Sequence, residues 1–86
     1  MEYFERIKKK LNENFSPSLL EVIDESDLHA GHSGARPEGE THFKVRMTSK
    51  SFKNMSRVER QRAVYRVLKR ELDERVHALS LDLSER

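Results

Sequence analysis

The chain has 86 residues, enough for one small domain and too few for two, so we expect a single domain over residues 1–86. Its 17 basic and 15 acidic side chains leave a net charge of +2, a balance that does not identify a nucleic-acid-binding protein. The absence of cysteine excludes disulfides, a catalytic thiol and thiolate metal ligands from this chain alone.

The sequence carries no targeting or membrane signal. Residues 1–10 are charged throughout and lack the apolar stretch of a secretory signal peptide. No apolar run approaches the roughly 20 residues that a membrane-spanning helix needs. We therefore expect a cytoplasmic protein without a membrane partner.

The first predicted element is a helix that ends before Pro17, because the residue before a proline resists helical angles. Its apolar residues recur at three- and four-residue steps and share one face: Tyr3, Phe4, Ile7, Leu11 and Phe15. A short strand is predicted over residues 19–24, where apolar and β-branched residues lie between turn formers.

A long loop is predicted to follow, over residues 26–39, since this stretch holds all three glycines, one proline and two of the four histidines. Loops of this length in compact domains are usually functional or mobile. Residues 41–49 then alternate, with Phe43, Val45 and Met47 on one side, which indicates a half-buried strand. Antiparallel pairing of these two consecutive strands is the simplest arrangement.

The second half of the chain predicts a helix and a third strand. We expect Phe52 to anchor the connecting turn and Ser56 and Glu59 to form a capping box. The helix should run to about residue 72 and bury Val58, Tyr65, Leu68 and Leu72. Residues 76–83 alternate again, with His77, Leu79, Leu81 and Leu83 on one side. The order α-β-β-α-β predicts an α+β fold whose three-stranded mixed sheet is covered on one face by helices.

Three of these segments resemble successive signatures of BolA-like proteins. They are Leu-Glu-Val-Ile-Asp-Glu-Ser at residues 20–26, Glu-Thr-His-Phe-Lys-Val at residues 40–45 and Val-His-Ala-Leu-Ser-Leu at residues 76–81. Ser-Phe at residues 51–52 and Arg-Gln-Arg-Ala-Val-Tyr at residues 60–65 follow in the expected order. The resemblance covers nearly the whole chain, and it implies one BolA-like domain with a fold similar to class II KH domains.

The resemblance also implies function. BolA-like proteins are not enzymes, they pair with monothiol glutaredoxins, and they can share a bridged [2Fe-2S] cluster with that partner and glutathione. We expect this chain to do the same, as a monomer without a cofactor when it is alone. The alternative is a DNA-binding transcriptional regulator of the stress response and morphology, which some family members are described to be. A plain interaction domain with neither role is a third possibility.

The sequence departs from the family pattern at two places. Gln61 stands where the family helix usually has histidine, and Lys53-Asn54-Met55-Ser56 stands where the family usually has a glycine. The second change removes any Gly-x-x-Gly loop, with which KH domains clamp a nucleic-acid backbone. We therefore do not expect RNA binding of the KH type.

Histidines are the candidate metal ligands. The resemblance places the cluster-ligating histidine of the family at His77 and a second ligand in the loop, where His29 is the first choice and His32 its competitor. A neutral imidazole can ligate iron, as it does in Rieske centres. The alternative reading is a strand-edge histidine and two solvated loop histidines. His42, on the face opposite the apolar side chains, is left out of the site.

Basic side chains form a second candidate site, for an acidic partner or a phosphate backbone. Arg62, Arg66 and Arg70 are spaced by four and should stack on one helix ridge, with Lys69 beside it. A merely solvated helix face is the alternative. Any nucleic-acid binding should be weak and indifferent to sequence, with three or four phosphate contacts and a log–log salt slope of roughly −3 to −4. No motif for a catalytic nucleophile, phosphate loop or metalloprotease is present.

Overall fold

A computed structural model describes residues 2–26 and 39–85. The elements follow in the order α1 (Glu2–Phe15), β1 (Leu19–Asp24), β2 (His42–Thr48), a short 3₁₀ turn (Lys50–Phe52), α2 (Arg57–Val67), α3 (Lys69–Glu74) and β3 (Ala78–Ser84). Strand β2 lies in the middle of the sheet, antiparallel to β1 and parallel to β3. The predicted α+β fold with a mixed three-stranded sheet is confirmed. The predicted loop lies, apart from its end residues 26 and 39, outside the described residues.

The core lies between the helices and one face of the sheet. The alternation predicted for β2 is confirmed, because Phe43, Val45 and Met47 are buried while Arg46 is exposed. Side chains from every layer complete the core: Ile7, Leu11, Phe15, Val22, Phe52, Val64, Leu68 and Val76. The other sheet face is mixed: Leu19 and Ile23 are exposed there, and Arg46 lies between Glu21 and Asp82, at N–O distances of 3.5 and 3.9 Å. The helices therefore cover one face of the sheet, as predicted.

The second helical segment differs from its prediction in extent and in its buried face. The capping box is confirmed: the Ser56 N–H donates to Glu59 Oε1 (2.7 Å), and the Glu59 N–H donates to Ser56 Oγ (3.1 Å). The helix is interrupted at Leu68, which has φ −100° and ψ 15°, and α3 then continues to Glu74. Its predicted buried residues Val58 and Tyr65 are 55% and 40% exposed.

The error in the buried face has a simple physical cause. Val64 and Leu68, one helical turn apart, are fully buried, and the half-buried Ala63 and Val67 flank them. Val58 and Tyr65 share a neighbouring stripe that is largely exposed, although the Tyr65 hydroxyl donates to the Leu79 carbonyl of β3 (3.3 Å). An apolar residue type does not reveal which stripe of a short polar helix faces the core.

A buried carboxylate joins the two ends of the helical layer. The side chain of Glu71 in α3 is 1% exposed and accepts hydrogen bonds from Arg6 Nε (3.0 Å) and Lys10 Nζ (2.9 Å), both in α1. Burial raises the pKa of Glu71, but the hydrogen bonds from Lys10, from the backbone and from Arg6 outweigh it, so the pKa is lowered. Glu71 therefore carries its charge inside the fold.

Among residues 2–26 and 39–85, no helix has the length and apolar character that crossing a membrane requires.

Candidate functional site

His77 lies just before β3, where the regular strand pattern fails. The carbonyl of Thr41 accepts hydrogen bonds from two successive backbone N–H groups, those of His77 (2.7 Å) and Ala78 (3.3 Å). As a result Val76 is 2% exposed and packs in the core, while His77 is exposed. The predicted alternation, which put His77 on the same side as Leu79 and Val76 opposite, is therefore wrong at the start of the strand.

The end of the predicted loop is held firmly where it returns to the sheet. Gly39 and Glu40 both adopt left-handed backbone angles, with φ of 75° and 61°. The Glu40 N–H donates to Asp24 Oδ2 (3.1 Å), and its carboxylate accepts from the Phe4 N–H (3.1 Å) near the start of α1. Arg75 donates to the Gly39 carbonyl through Nε and Nη2. These contacts fix the backbone next to Thr41, and through it the position of His77.

A chain of buried polar groups connects the two ends of the loop to His42. Ser26 Oγ donates to Asp24 Oδ1 (2.6 Å) and accepts from the Thr41 N–H (2.9 Å). Thr41 Oγ1 lies 3.3 Å from Ser26 Oγ and 2.9 Å from His42 Nδ1. Ser26 and Thr41 are both buried. The described part of the chain has no buried side-chain N or O atom without a hydrogen-bond partner.

The structure brings His42 next to His77. Their ring centroids are 6.2 Å apart, and the ring planes differ by 31°. The alternation within β2 assigns His42 to the face opposite the apolar side chains, but it does not show which residue of another strand lies beside it. Parallel pairing of β2 with β3 aligns His42 with Ala78, the residue after His77. That pairing is the signal that could have placed the two histidines together.

The loop histidines His29 and His32 lie outside the described residues, so their predicted role as ligands stays a prediction. Within residues 2–26 and 39–85, no group of three or more His, Cys, Asp or Glu side chains could hold a metal ion. Among the described residues, the imidazoles of His42 and His77 are neighbours.

The four predicted basic residues do not form a run of equivalent cations. Lys69 pairs with Asp73 (2.8 Å) and Arg70 with Glu74 (3.0 Å), each one helical turn away. Hydrogen bonding by Asp73 raises the pKa of Lys69. Arg62 and Arg66 are exposed and form no salt bridge within the part of the chain that the structure describes. Arg62 and Arg66 are thus the ridge cations most available to an anionic partner.

The two departures from the family pattern have different structural settings. Asn54 has φ 64°, a left-handed conformation that asparagine tolerates better than most residues, so the missing glycine is accommodated. Gln61 is half-buried and lines a shallow groove between the start of α2 and β3, together with Met55, Arg57, Arg60 and Leu81. The groove combines basic and apolar side chains with one carboxylate, that of Asp82.

Comparisons with known proteins agree with this architecture. The chloroplastic protein BOLA1 of Arabidopsis thaliana is 45% identical over 88% of this chain, which spans 49% of that protein's length. The DNA-binding transcriptional regulator BolA of Haemophilus influenzae is 38% identical over 90% of this chain and 71% of its own length. The solved BolA domain of SufE1 from Arabidopsis thaliana is 40% identical, with a TM-score of 0.90 over 99% of this chain and 93% of that domain.

The sequence profile of the BolA-like protein family matches residues 11–85. That range contains β1, β2, α2, α3 and β3, and the last turn of α1. It also contains the two adjacent histidines and the polar chain beneath them. This chain therefore belongs to the BolA-like protein family.

Proposed function

We propose that the chain is a non-enzymatic protein that binds a monothiol glutaredoxin and helps to coordinate or transfer a [2Fe-2S] cluster. The observation that carries the proposal is the position of His77. Its backbone N–H is fixed to the Thr41 carbonyl while the residue itself is exposed, next to the point where the loop returns to the sheet. An imidazole held this way can reach a cluster that a partner presents.

The donor chemistry of the chain fits an accessory role. Iron–sulfur clusters are held mainly by thiolates, and this chain has no cysteine. The partner and glutathione would therefore supply the thiolates, and this chain would supply imidazole from His77 and from one loop histidine, His29 before His32. The kinship to plant BOLA1 and to the SufE1 domain supports this role.

Reconstitution tests the proposal directly. The chain is mixed with a monothiol glutaredoxin, iron, sulfide and glutathione, and the visible absorption spectrum and the cluster lifetime are recorded. His77→Ala should change both, and His29→Ala should have a larger effect than His32→Ala. Ser80→Ala is the matched control, since Ser80 is an exposed residue of the same strand and lies outside the site. An unchanged spectrum and lifetime in His77→Ala would remove His77 from the site.

A DNA-binding regulator is the second candidate, supported by the similarity to the Haemophilus DNA-binding regulator and by Arg62 and Arg66, which form no salt bridge with the described residues. Since acidic neighbours pair with Lys69 and Arg70, two phosphate contacts are expected rather than four, and the log–log salt slope should be about −2. Fluorescence anisotropy with duplex DNA measures this slope. Nanomolar binding to one sequence at physiological salt would favour the regulator over the cluster role.

A further inference from the structure

We propose that the groove between α2 and β3 binds an extended segment of a partner protein, with apolar and acidic side chains, which adds as a fourth strand to the free edge of β3. The groove has a volume of about 370 Å³, and its lining includes Met55, Arg57, Arg60, Gln61, Leu81 and Leu83. The proposal goes beyond the cluster role, because it uses neither His77 nor the loop histidines.

The outer edge of β3 carries backbone groups that the sheet does not use. In the described sheet β3 pairs only with β2, so β3 is an edge strand. The Ser84 carbonyl accepts from the Ser49 N–H (2.9 Å), so Ser84 and every second residue before it direct their backbone groups toward β2. The intervening residues Leu79, Leu81 and Leu83 therefore direct their backbone groups to the outer edge.

A side-chain hydrogen bond supports this direction. The Tyr65 hydroxyl of α2 donates to the Leu79 carbonyl (3.3 Å), which therefore points away from β2. Within residues 2–26 and 39–85, no hydrogen bond joins another group to the outward N–H or carbonyl of Leu81 and Leu83. An extended peptide can pair with such an edge through its own backbone.

The side chains beside this edge are apolar and incompletely covered. Leu81 and Leu83 are half-buried, although they pack against the core. On α2, Val58 is 55% exposed and lies one helical turn before Gln61, which lines the groove. A strand added to β3 would set alternate side chains against this surface and remove it from water. We therefore expect apolar side chains two positions apart in the partner segment.

Charge specifies the flanking side chains. Arg57 is exposed and forms no salt bridge with another described residue, and Arg60 Nη2 lies 3.9 Å from a carboxylate oxygen of Glu85. Asp82 also lines the groove, but its carboxylate lies 3.9 Å from Arg46 on the opposite sheet face. The helix side of the groove is therefore basic, which favours carboxylates next to the apolar side chains.

A partner peptide fits the groove better than nucleic acid or a second copy of this chain. Among the described residues that line the groove, none is aromatic, so a base has no ring on which to stack. A second copy paired edge to edge would bring a second α2 next to the first. Each α2 carries four arginines and one glutamate, so the two helices would repel each other.

The probe is a fluorescein-labelled peptide with capped termini, Glu-Thr-Val-Thr-Val-Thr-Glu. In an extended chain its valines and glutamates share one face, and a glutamate at each end serves either strand direction. Fluorescence anisotropy with the full-length chain measures the affinity. The same peptide with lysine in place of both glutamates should bind about tenfold more weakly or worse.

Variants of exposed residues locate the binding site. Arg57→Glu and Val58→Asp should each weaken binding about tenfold, because each places a carboxylate beside the glutamates of the peptide. Arg66→Glu is the matched control, since it makes the same charge reversal on α2 outside the groove, and its affinity should stay within about twofold of the wild type. Circular dichroism checks the fold of each variant.

Amide hydrogen exchange identifies the mode of binding. At about 90% saturation with peptide, exchange at Leu81 and Leu83 should slow by up to about tenfold, while exchange at Ser80 and Asp82, already bonded to β2, should not change. The proposal is overturned if no peptide binds up to roughly 1 mM, if the lysine peptide or Val58→Asp binds equally well, or if this alternating protection is absent. A single-stranded oligonucleotide that binds the groove more tightly, or a dimer of the free chain that protects Leu81 and Leu83 in ultracentrifugation samples, would also overturn it.

Discussion

Replacing Glu71 by glutamine tests whether a buried ion cluster holds the helical layer together. The substitution keeps the shape of the side chain but removes its charge, and it puts an amide N–H₂ group where an acceptor is needed. Arg6 Nη2 and Lys10 Nζ each lie 2.8 Å from Glu71 Oε2. In Glu71→Gln at least one of these cations loses its acceptor, and the contact between α1 and α3 weakens.

The structure sets the size of the effect. Hydrogen bonds to charged groups contribute about 1.5–3 kcal/mol each, but Arg6 and Lys10 are 26% and 32% exposed, so water replaces part of what is lost. We expect Glu71→Gln to lower the free energy of unfolding by about 2 kcal/mol in total. For a domain of this size, that corresponds to a decrease of roughly 8–16 °C in the melting temperature.

Thermal and urea denaturation followed by circular dichroism measure the change. Asp73→Asn is the matched control, since it removes one carboxylate charge from the same helix but breaks only the exposed pair with Lys69. Its melting temperature should stay close to that of the wild type. A Glu71→Gln melting temperature equal to that of Asp73→Asn would refute the reasoning, because the buried cluster would then add nothing to stability.

The pH dependence of stability provides a second test of the role of Glu71. The folded pKa of Glu71 is lowered, so its carboxylate stabilises the fold fully above the unfolded pKa of about 4.3. That contribution is lost as pH falls through the folded pKa. The stability difference between wild type and Glu71→Gln should therefore be constant near neutral pH and shrink below about pH 4. A difference that grows in acid would show that the sign of the pKa shift is wrong.

Further substitutions test the core and the helix start. Phe52→Ala should cost about 3–5 kcal/mol in urea denaturation, because Phe52 is fully buried against Phe15, whereas the exposed Val58→Ala should change stability by less than about 0.5 kcal/mol. Equal effects would contradict the observed burial. Ser56→Ala should lower stability by about 1 kcal/mol by removing the side-chain half of the capping box. The backbone hydrogen bond from Ser56 lowers the pKa of Glu59, so the contribution of Glu59 to stability should disappear in acid. The stability difference between wild type and Glu59→Gln, measured over a pH series, should therefore shrink as the pH falls.

Local features of the fold could be read from the sequence alone. The capping box depends on two residues three positions apart. The end of α1 depends on Pro17, whose ring disfavours helical angles in the residue before it. The alternation of Phe43, Val45 and Met47 specifies which face of β2 is buried. These signals act over a few residues, so no knowledge of distant contacts is needed. The element order then restricts the sheet to a mixed arrangement, since a strand–helix–strand unit pairs in parallel.

Tertiary contacts decided the remaining features. The orientation of His77 follows from a carbonyl 36 residues earlier that accepts two N–H groups, and no period within β3 contains that information. His42 and His77 likewise become neighbours only because β2 and β3 pair. The burial of Glu71 depends on cations brought by α1, which compensate a charge that sequence patterns place on the surface. Sequence patterns therefore determined the elements and the family, whereas long-range hydrogen bonds and ion pairs determined which side chains meet at the candidate site.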